Sequence, residues 1–394
     1  MMNTNMLAIA SELTAMLEEA NVPYEFTEAA SLQLQGVEMS GAFPITVNVQ
    51  WDLFEKVYDL LQQYAPSPIE RTAVQASFKF SQDSIDVHIY CYFNTTIRTN
   101  PYRTMVQKGE NSFWCCSLYA YLYFPEDERY AAQIRAALLK EQQELTAQNE
   151  QAWNQNNYTA LINRYGEPAE IAKKIKQNPE WRLHPFYKYV KDAAGKKVMH
   201  LMGSNGVKAV ALSLLGADVT VADFSHENAM FANELAKEAD VAVSYIISDV
   251  LSLSEKVTHE QYDIVLMELG VLHYFIDLQP LFRIVKRLLR PGGRFILHEF
   301  HPISTKLITS TGKKHKVTGN YFNPSIERGE VAFSKHMPEK ESLAKVVQRK
   351  WTIGELVTSI VQEGLVIQVL EEEPNHKMHD IGLPKTFTIV AEKK

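Results

Sequence analysis

The strongest constraint on the fold is a regular alternation of strand and helix patterns between residues 196 and 300. Each strand candidate is a short run rich in β-branched residues, and the segments between them have apolar residues at helical spacing. Short connections between such units produce right-handed βαβ crossovers and a parallel sheet with helices on both faces. The predicted strands are 197–202, 218–223, 243–248, 262–267 and 294–299, with helices at about 206–215, 226–239 and 277–290.

The end of the chain departs from this alternation. A helix is predicted at 352–363, followed by strands at 365–371 and 386–392 with no helix between them. Strands joined without a helical crossover pair in antiparallel fashion. We therefore predict the α/β class, with a doubly wound, Rossmann-like sheet of seven strands whose last strand is antiparallel.

The chain is predicted to hold two domains, because 394 residues exceed the length at which one hydrophobic core keeps growing. Residues 1–125 form a smaller α+β domain. Residues 126–185 are predicted to be a helical linker and cap, since 127–163 contains neither Gly nor Pro. The larger domain covers 186–394 and includes a long insertion at 301–350. Strands predicted in the first domain are 43–49, 74–80, 85–93 and 113–123.

Composition disfavours several classes of function. No stretch approaches the roughly 20 apolar residues that span a bilayer, and the first residues have the spacing of an amphipathic helix instead of a signal peptide. Cys91, Cys115 and Cys116 match no metal spacing and indicate reduced thiols in a cytoplasmic protein. A net charge of −7 and a pI near 6.0 leave no basic footprint for nucleic acid. A small-molecule or protein substrate is favoured.

A turn containing glycine follows the first strand, in the sequence HLMGSNG at 200–206. Glycine suits this place because the backbone must turn tightly and approach a ligand closely. Asp223 ends the second strand, where a carboxylate can accept hydrogen bonds from ribose hydroxyls; Ser225 already supplies the helix cap that would otherwise explain it. Asp249 ends the third strand and is either an adenine contact or a simple turn residue. Three strand ends at one crevice predict a ligand site.

Together these segments resemble the core of class I S-adenosylmethionine-dependent methyltransferases. The resemblance covers 196–300, including LLRPGGRF at 288–295, and the closing hairpin also fits, whereas the last strand of nicotinamide dehydrogenases is normally parallel. It implies S-adenosyl-L-methionine as the cofactor, with Asp223 on the ribose and Asp249 on the adenine. The positions it assigns to cofactor binding are Gly203, Ser204, Asn205, Gly206, Asp223, Phe224, Asp249, Val250 and Glu268.

The glycine motif departs from the family at two places. The usual motif opens with an acidic residue and has a glycine two positions later, where this chain has His200 and Met202. The missing acid leaves the methionine ammonium group without its usual partner. We expect Glu268, at the end of the fourth strand, or a backbone carbonyl to replace it.

Groups able to act on a methyl acceptor cluster after strands four and five. Methyl transfer from a sulfonium is an in-line displacement, so the protein aligns the nucleophile and, where that group carries a proton, supplies a base. We expect His301 to be the base or orienting residue, with Glu299 holding its ring. His273 and Tyr321 are further candidates beside the methyl acceptor. The alternative is that these side chains satisfy one another in a buried polar cluster.

The insertion at 301–350 is predicted to be a lid over the substrate, because connections of this length in compact domains are usually functional. Its basic run either suits an anionic substrate group or is simply solvated. The histidines also raise a metal hypothesis, but no pair has close ligand spacing and we expect no metal. The basic run is Lys313, Lys314, His315 and Lys316; the metal candidates are His301, His315, His376 and His379 with Glu268 or Glu299.

A helical segment ahead of the core, 152–166, carries Trp153, Tyr158 and Arg164. An aromatic side chain here can stack on the adenine or contact the sulfonium. The two aromatics are five residues apart and do not share one helix face, so core packing is expected for one of them.

The amino-terminal domain resembles the nucleotidyltransferase superfamily in its order of elements, with EAASLQLQG at 28–36 and IDVHIY at 85–90. Active members begin the first run with two small residues and follow it with a pair of aspartates that hold Mg²⁺. Here Glu28 and Ala29 occupy the first places and Phe43 and Ile45 the second, while Asp86 alone retains a carboxylate. A catalytically inactive scaffold for substrate binding, regulation or dimerisation is predicted.

Three functions follow from this reading. The first is methyl transfer from S-adenosyl-L-methionine to an oxygen or nitrogen of a small substrate, either anionic or uncharged, in a protein that forms a homodimer if its first domain self-associates. The second is a regulatory protein that binds the cofactor without turnover. The third is a protein or tRNA methyltransferase, which the net charge disfavours.

Overall fold

A computed structural model describes residues 4–123, 128–253, 257, 261–311, 314–337, 343–374 and 382–394. The chain divides into two compact units, Met1–Lys140 and Glu141–Lys394. Within the described ranges, no helix is both long and apolar enough to cross a membrane.

The first unit is built on a mixed sheet of seven strands with the order β3-β4-β5-β2-β1-β7-β6 among its described residues. Its first helix presents Ile9, Leu13 and Leu17 to the core, at the spacing of one helix face. The elements are α1 (Thr4–Glu19), β1 (Tyr24–Thr27), α2 (Glu28–Leu34), β2 (Ile45–Val49), α3 (Phe54–Leu60), β3 (Glu70–Arg71), β4 (Gln75–Gln82), β5 (Ile85–Tyr92), β6 (Arg103–Lys108), β7 (Asn111–Cys116) and α4 (Ala120–Tyr123).

One strand prediction in this unit is wrong in its length. The strand expected at 113–123 ends at Cys116, because the Ser117 N–H bonds to the Tyr102 carbonyl and the chain then turns into α4. Ile45 is fully buried, while Asp86 is exposed on β5 and accepts a hydrogen bond from Ser81. The nucleotidyltransferase-like assignment of this unit stays a prediction.

The second unit is built on a seven-stranded sheet with the order β10-β9-β8-β11-β12-β18-β17 among its described residues. The segment predicted as one or two linking helices is two, separated at Asn156, whose φ of 62° is left-handed. The elements are α5 (Glu128–Trp153, which begins in the first unit), α6 (Asn157–Tyr165), α7 (Pro168–Gln177), α8 (Pro179–Arg182), β8 (Lys197–Leu201), α9 (Val207–Leu214), β9 (Asp218–Asp223), α10 (His226–Ala239), β10 (Val243–Ile247), β11 (Tyr262–Glu268), α11 (Gln279–Leu288), β12 (Leu289–Phe300), β13 (Ile308–Thr311), β14 (Lys314–Val317), β15 (Ile326–Gly329), β16 (Val346–Arg349), α12 (Ile353–Gln362), β17 (Leu365–Pro374) and β18 (Pro384–Lys393).

Strand directions confirm the predicted mixed sheet. Neighbouring strands from β10 to β12 pair in parallel, whereas β18 is antiparallel to both β12 and β17. The carboxyl ends of the parallel strands therefore meet at one edge of the sheet, as the alternation of strands and helices requires.

The Pro-Gly-Gly segment of LLRPGGRF is an irregularity inside β12 and not a turn ahead of it. Leu289 pairs with Tyr262 and Arg294 pairs with Ile264, so the residues between Leu289 and Arg294 loop out of register. A Cβ at Gly293 would lie 2.9 Å from the Arg290 carbonyl oxygen, which explains the glycine there.

The insertion between β12 and α12 contains secondary structure that the sequence analysis did not predict. Strands β13 and β14 form one antiparallel hairpin, and β15 pairs with β16 in another. Val331, Phe333 and Val346 pack in a buried cluster with Ala152, Ala160 and Tyr274. This part of the insertion is therefore attached to the domain by a small core of its own.

Substitution of Gly206, which precedes α9, tests how tightly the turn after β8 is packed. Both Gly206 and Gly195 have φ +73°, but only at Gly206 would a Cβ collide with a neighbour, at 2.7 Å from the Ala232 Cβ. We expect Gly195→Ala to cost only the left-handed strain of about 1–2 kcal/mol. Gly206→Ala should add roughly 1–3 kcal/mol of overpacking. Denaturant unfolding of both variants checks this; equal losses would contradict it.

Candidate functional site

The turn between β8 and α9 alternates left-handed and ordinary backbone conformations. Met202, Ser204 and Gly206 have φ of 52°, 48° and 73°. A Cβ at Gly203 would lie 2.8 Å from His200 Nδ1 and 2.9 Å from Val221 Cγ1, so packing within the protein already requires glycine there. The Tyr245 hydroxyl donates to the Ser204 carbonyl at 2.8 Å and holds the turn from β10.

Asp223, at the end of β9, organises this turn. Its carboxylate accepts hydrogen bonds from the backbone N–H of Ser204 at 3.1 Å and of Ser225 at 2.9 Å, and a longer one from the Asn228 side chain at 3.4 Å. Ser225 caps α10, as expected. Burial raises the pKa of Asp223. A carboxylate has about four acceptor sites, so Asp223 retains capacity for a ligand hydroxyl.

Asp249 lies two residues beyond β10, where it acts as a turn residue and also lines a pocket. It accepts a hydrogen bond from the Leu251 N–H at 3.3 Å, as a turn residue does, and it lines a small pocket. Burial raises the pKa of Asp249. The pocket wall also includes Phe224 and Val250, two of the predicted contacts, together with Asn149 of α5. The bonds of Asp249 are long, which leaves its oxygens open to a stronger donor.

His200 and Glu268 lie side by side at the ends of β8 and β11. His200 is fully buried, neither ring nitrogen has a hydrogen-bond partner among the described residues, and burial lowers its pKa to about 3. Glu268 Oε1 lies 3.8 Å from His200 Nε2, and Glu268 Oε2 lies 3.7 Å from Lys208 Nζ. Glu268 is therefore placed beside the glycine turn, while its role as the replacement for the missing acid stays a prediction.

A cavity of about 730 Å³ opens over these strand ends. It shares four lining residues with the small pocket, so the two are continuous: Met202, Asp223, Phe224 and Tyr274. Predicted residues Gly203, Ser204, Asn205 and Glu268 also line it. The cationic side chains along its wall are Arg164, Arg182, Lys208 and Lys335.

Of the two predicted aromatics ahead of the core, Trp153 lines this cavity and Tyr158 does not. Trp153 Nε1 donates to the Tyr274 hydroxyl at 3.0 Å. Tyr158 instead packs against Phe231 and donates to Glu234 at 2.5 Å. Trp153 is therefore the aromatic side chain placed where it can contact a ligand, and Tyr158 is the one that packs within the protein.

The expected pairing of Glu299 with His301 does not form. The buried Glu299 carboxylate accepts hydrogen bonds from the backbone N–H groups of Gly270 at 2.5 Å, Val271 at 2.9 Å and Leu272 at 3.3 Å, and from that of Phe300. Glu299 thus fixes the loop after β11. Glu299 binds the loop instead of His301 because four backbone N–H donors stabilise a buried carboxylate better than one imidazole does.

His301 and Tyr321 are not brought to the large cavity. His301 is 2% exposed; its Nε2 contacts Glu372 Oε1 at 2.7 Å and its Nδ1 accepts the Ile303 N–H at 3.1 Å. The Tyr321 hydroxyl accepts the Ile353 N–H at the start of α12. Both side chains have structural partners where the sequence analysis expected catalytic ones.

His273 is the predicted catalytic candidate that the structure does place at the cavity wall. No hydrogen bond to its ring nitrogens is found among the described residues. Burial, with Lys350 nearby, lowers its pKa to about 4, so the ring is neutral at pH 7 and available as an acceptor.

The basic run of the insertion lies away from both spaces. Lys314, His315 and Lys316 are on β14, and none of them lines the large cavity or the small pocket. Lys313, His376 and His379 lie outside the described residues. In the part of the chain that is described, no three His, Cys, Asp or Glu side chains form a group that could hold a metal ion.

Sequence reasoning missed Gln142, which shapes the small pocket. Its side chain accepts the Ile276 N–H at 2.8 Å and donates to the Tyr274 carbonyl at 3.0 Å. Gln348 of β16, at the wall of the large cavity, was also missed. Both come from outside the strand–helix repeat, and no local pattern marks them.

Part of this chain is similar in sequence to known methyltransferases. A family model described as a methyltransferase domain matches residues 202–297. The chain is similar to the ubiquinone biosynthesis O-methyltransferase of Xanthomonas oryzae pv. oryzae, with 29% identity over 142 residues, which are 36% of this chain and 58% of that protein. The carboxy-terminal unit therefore contains a methyltransferase domain, at residues that lie within the resemblance found at 196–300.

Two solved structures are also similar to the chain. One is a putative S-adenosylmethionine dependent methyltransferase from Listeria monocytogenes, with 21% identity and a TM-score of 0.44 over 54% of this chain and 98% of that one. The other is an S-adenosylmethionine dependent methyltransferase from Mesorhizobium loti, with 18% identity and a TM-score of 0.43 over 53% and 97%.

Proposed function

We propose that this protein transfers a methyl group from S-adenosyl-L-methionine to an oxygen or nitrogen of a small molecule. The observation that carries the proposal is a pair of carboxylates, Asp223 and Asp249, at neighbouring strand ends beside two continuous cavities. The curated relative is named as an O-methyltransferase, which supports oxygen as the acceptor atom.

The residues present fit this cofactor. The small pocket beside Asp249 and Phe224 suits the adenine, and Asp223 suits the ribose. Glu268 provides a carboxylate for the ammonium group, and Arg164 and Lys335 provide cations for the carboxylate. A cavity of about 730 Å³ is within the usual range for a cofactor with a substrate beside it.

S-adenosyl-L-methionine bound here would supply an electrophilic methyl group on its sulfonium. The protein's contribution is alignment and exclusion of water, because the displacement needs the nucleophile in line with that bond. His273 accepts a hydrogen bond from the nucleophile. It takes the proton as methylation makes that proton acidic, and then passes it to solvent.

Calorimetry followed by an activity assay tests the proposal. We expect S-adenosylhomocysteine to bind the full chain, NAD⁺ to fail, and tritium from methyl-labelled cofactor to appear in a phenol or amine. Uptake of NAD⁺ with no affinity for S-adenosylhomocysteine would refute methyl transfer. Tight binding of S-adenosylhomocysteine without methyl transfer to any acceptor would support a regulatory protein that binds the cofactor without turnover. Methyl transfer only to a peptide or to tRNA would support a protein or tRNA methyltransferase. Cytoplasmic location and a homodimer are further proposals from the sequence.

Glu268→Gln tests which residue replaces the missing acid. Removing the negative charge should weaken S-adenosylhomocysteine binding about tenfold, equivalent to about 1.4 kcal/mol. The affinity for 5′-methylthioadenosine, which has the same nucleoside but no amino acid, should stay unchanged. Calorimetry with the two ligands measures both. An equal loss for both would show that Glu268 acts on the fold of the site and not on the ammonium group.

A further inference from the structure

A second cavity of about 310 Å³ adjoins the large one. His273, Phe300 and Gln348 line both spaces and form the boundary between them. Phe300 is 38% exposed although it lies at the end of a central strand. An exposed aromatic side chain between two connected cavities is a contact surface for a ligand.

The walls of the second cavity are mostly apolar. Its apolar lining residues are Leu272, Phe300, Pro302, Trp351, Leu356 and Phe387. Trp351 Nε1 donates to the Leu272 carbonyl at 3.1 Å, which fixes the aromatic wall to the loop carrying His273. A cavity of about 150 Å³ accepts benzene, so this one has room for one or two rings.

The charged groups in the second cavity already have partners. Lys350 Nζ lies 2.7 Å from Glu327, and the Glu299 carboxylate is occupied by backbone N–H groups. A charged ligand group would therefore be desolvated there without a free counter-ion. His273, which lines both cavities, offers ring nitrogens without a hydrogen-bond partner among the described residues.

We propose that the second cavity binds the uncharged aromatic part of the methyl acceptor and holds its hydroxyl or amino group beside His273. This inference rests on the proposed function and names the substrate class of that site. In the transfer, the oxygen–methyl bond forms as the sulfur–methyl bond breaks, the electron pair goes to sulfur, and the hydroxyl proton goes to His273 and then to solvent. The large cavity holds the cofactor on the other side of the boundary.

Ligand-detected NMR with 2-naphthol, in the presence of saturating S-adenosylhomocysteine, tests this assignment on the full chain. Thr305 lines the second cavity and is exposed, so Thr305→Trp can fill the space without disturbing the core. We expect this variant to lose at least tenfold in affinity for 2-naphthol and to bind S-adenosylhomocysteine as before. Thr311→Trp, an exposed position in the same insertion that lines neither cavity, is the matched control.

Two further measurements make the outcome decisive. Phe300→Ala should also weaken 2-naphthol binding, and the charged analogue 2-naphthoate should bind the unaltered protein at least tenfold more weakly than 2-naphthol. Absence of 2-naphthol binding to the complex, equal binding by Thr305→Trp, or a preference for 2-naphthoate would each overturn the inference while leaving the proposed function intact. Failure of S-adenosylhomocysteine itself to bind would instead remove the proposed function.

Discussion

Asp223→Ala is expected to weaken S-adenosylhomocysteine binding about 100-fold or more. In the proposed site the substitution removes a charge-assisted hydrogen bond to the ribose, worth roughly 1.5–3 kcal/mol, and it also removes the acceptor for the Ser204 N–H that shapes the turn. Together these losses amount to about 3 kcal/mol, and each 1.4 kcal/mol is a tenfold change in affinity. Calorimetry measures the effect directly.

Asp218→Ala is the matched control, because Asp218 is the exposed first residue of the same strand. It should leave binding unchanged. Asp223→Ala should weaken the binding of 5′-methylthioadenosine by the same factor as that of S-adenosylhomocysteine, because both ligands carry the ribose. Glu268→Gln, in contrast, should weaken only the binding of S-adenosylhomocysteine. A folded Asp223→Ala protein with ordinary affinity would exclude the carboxylate from ribose recognition.

Glu299→Ala is expected to destabilise the carboxy-terminal unit by about 3–5 kcal/mol. Four backbone N–H groups lose their acceptor, and each buried unsatisfied donor costs about 1–3 kcal/mol before the loop relaxes. For a unit of this size the thermal midpoint should fall by about 10 °C. The loop at 269–272 carries cavity residues, so cofactor affinity should fall as well. Differential scanning calorimetry checks the first effect.

Glu372→Ala provides the comparison, because the Glu372 carboxylate contacts the buried His301 from an exposed position, where solvent screens the pairing. That variant should unfold within about 1 kcal/mol of the unaltered protein. If Glu299→Ala kept full stability and lost only methyl transfer, Glu299 would act in chemistry and not in fixing the loop.

The architecture of the carboxy-terminal unit follows from local sequence patterns. Short runs rich in β-branched residues placed the strands and helical spacing placed the helices within a few residues, and the missing helix between the last two strands predicted the antiparallel pair. The strand-end positions of Asp223, Asp249 and Glu268 followed in turn, because parallel strands end at one edge of a sheet.

The roles of individual polar side chains could not be predicted in this way. Periodicity states which face a residue lies on but not which donors reach it, so Glu299 and His301 were assigned to each other although one binds the loop and the other binds Glu372. The sequence patterns did not predict the short strands of the insertion, and Val346 of β16 packs in one cluster with Trp153 and Tyr274, which are far away in the chain.

The sequence by itself determined the class of fold, the edge of the sheet at which the parallel strands end and the acids that lie there. Only the tertiary structure decided that Glu268 lies beside His200, that the ring nitrogens of His273 have no hydrogen-bond partner among the described residues, and that an apolar second cavity adjoins the first. The physical reason is the distance along the chain between the residues that interact. Strand and helix patterns arise from neighbours within a few residues, whereas hydrogen-bond partners and cavities are set by side chains that folding brings together from distant segments.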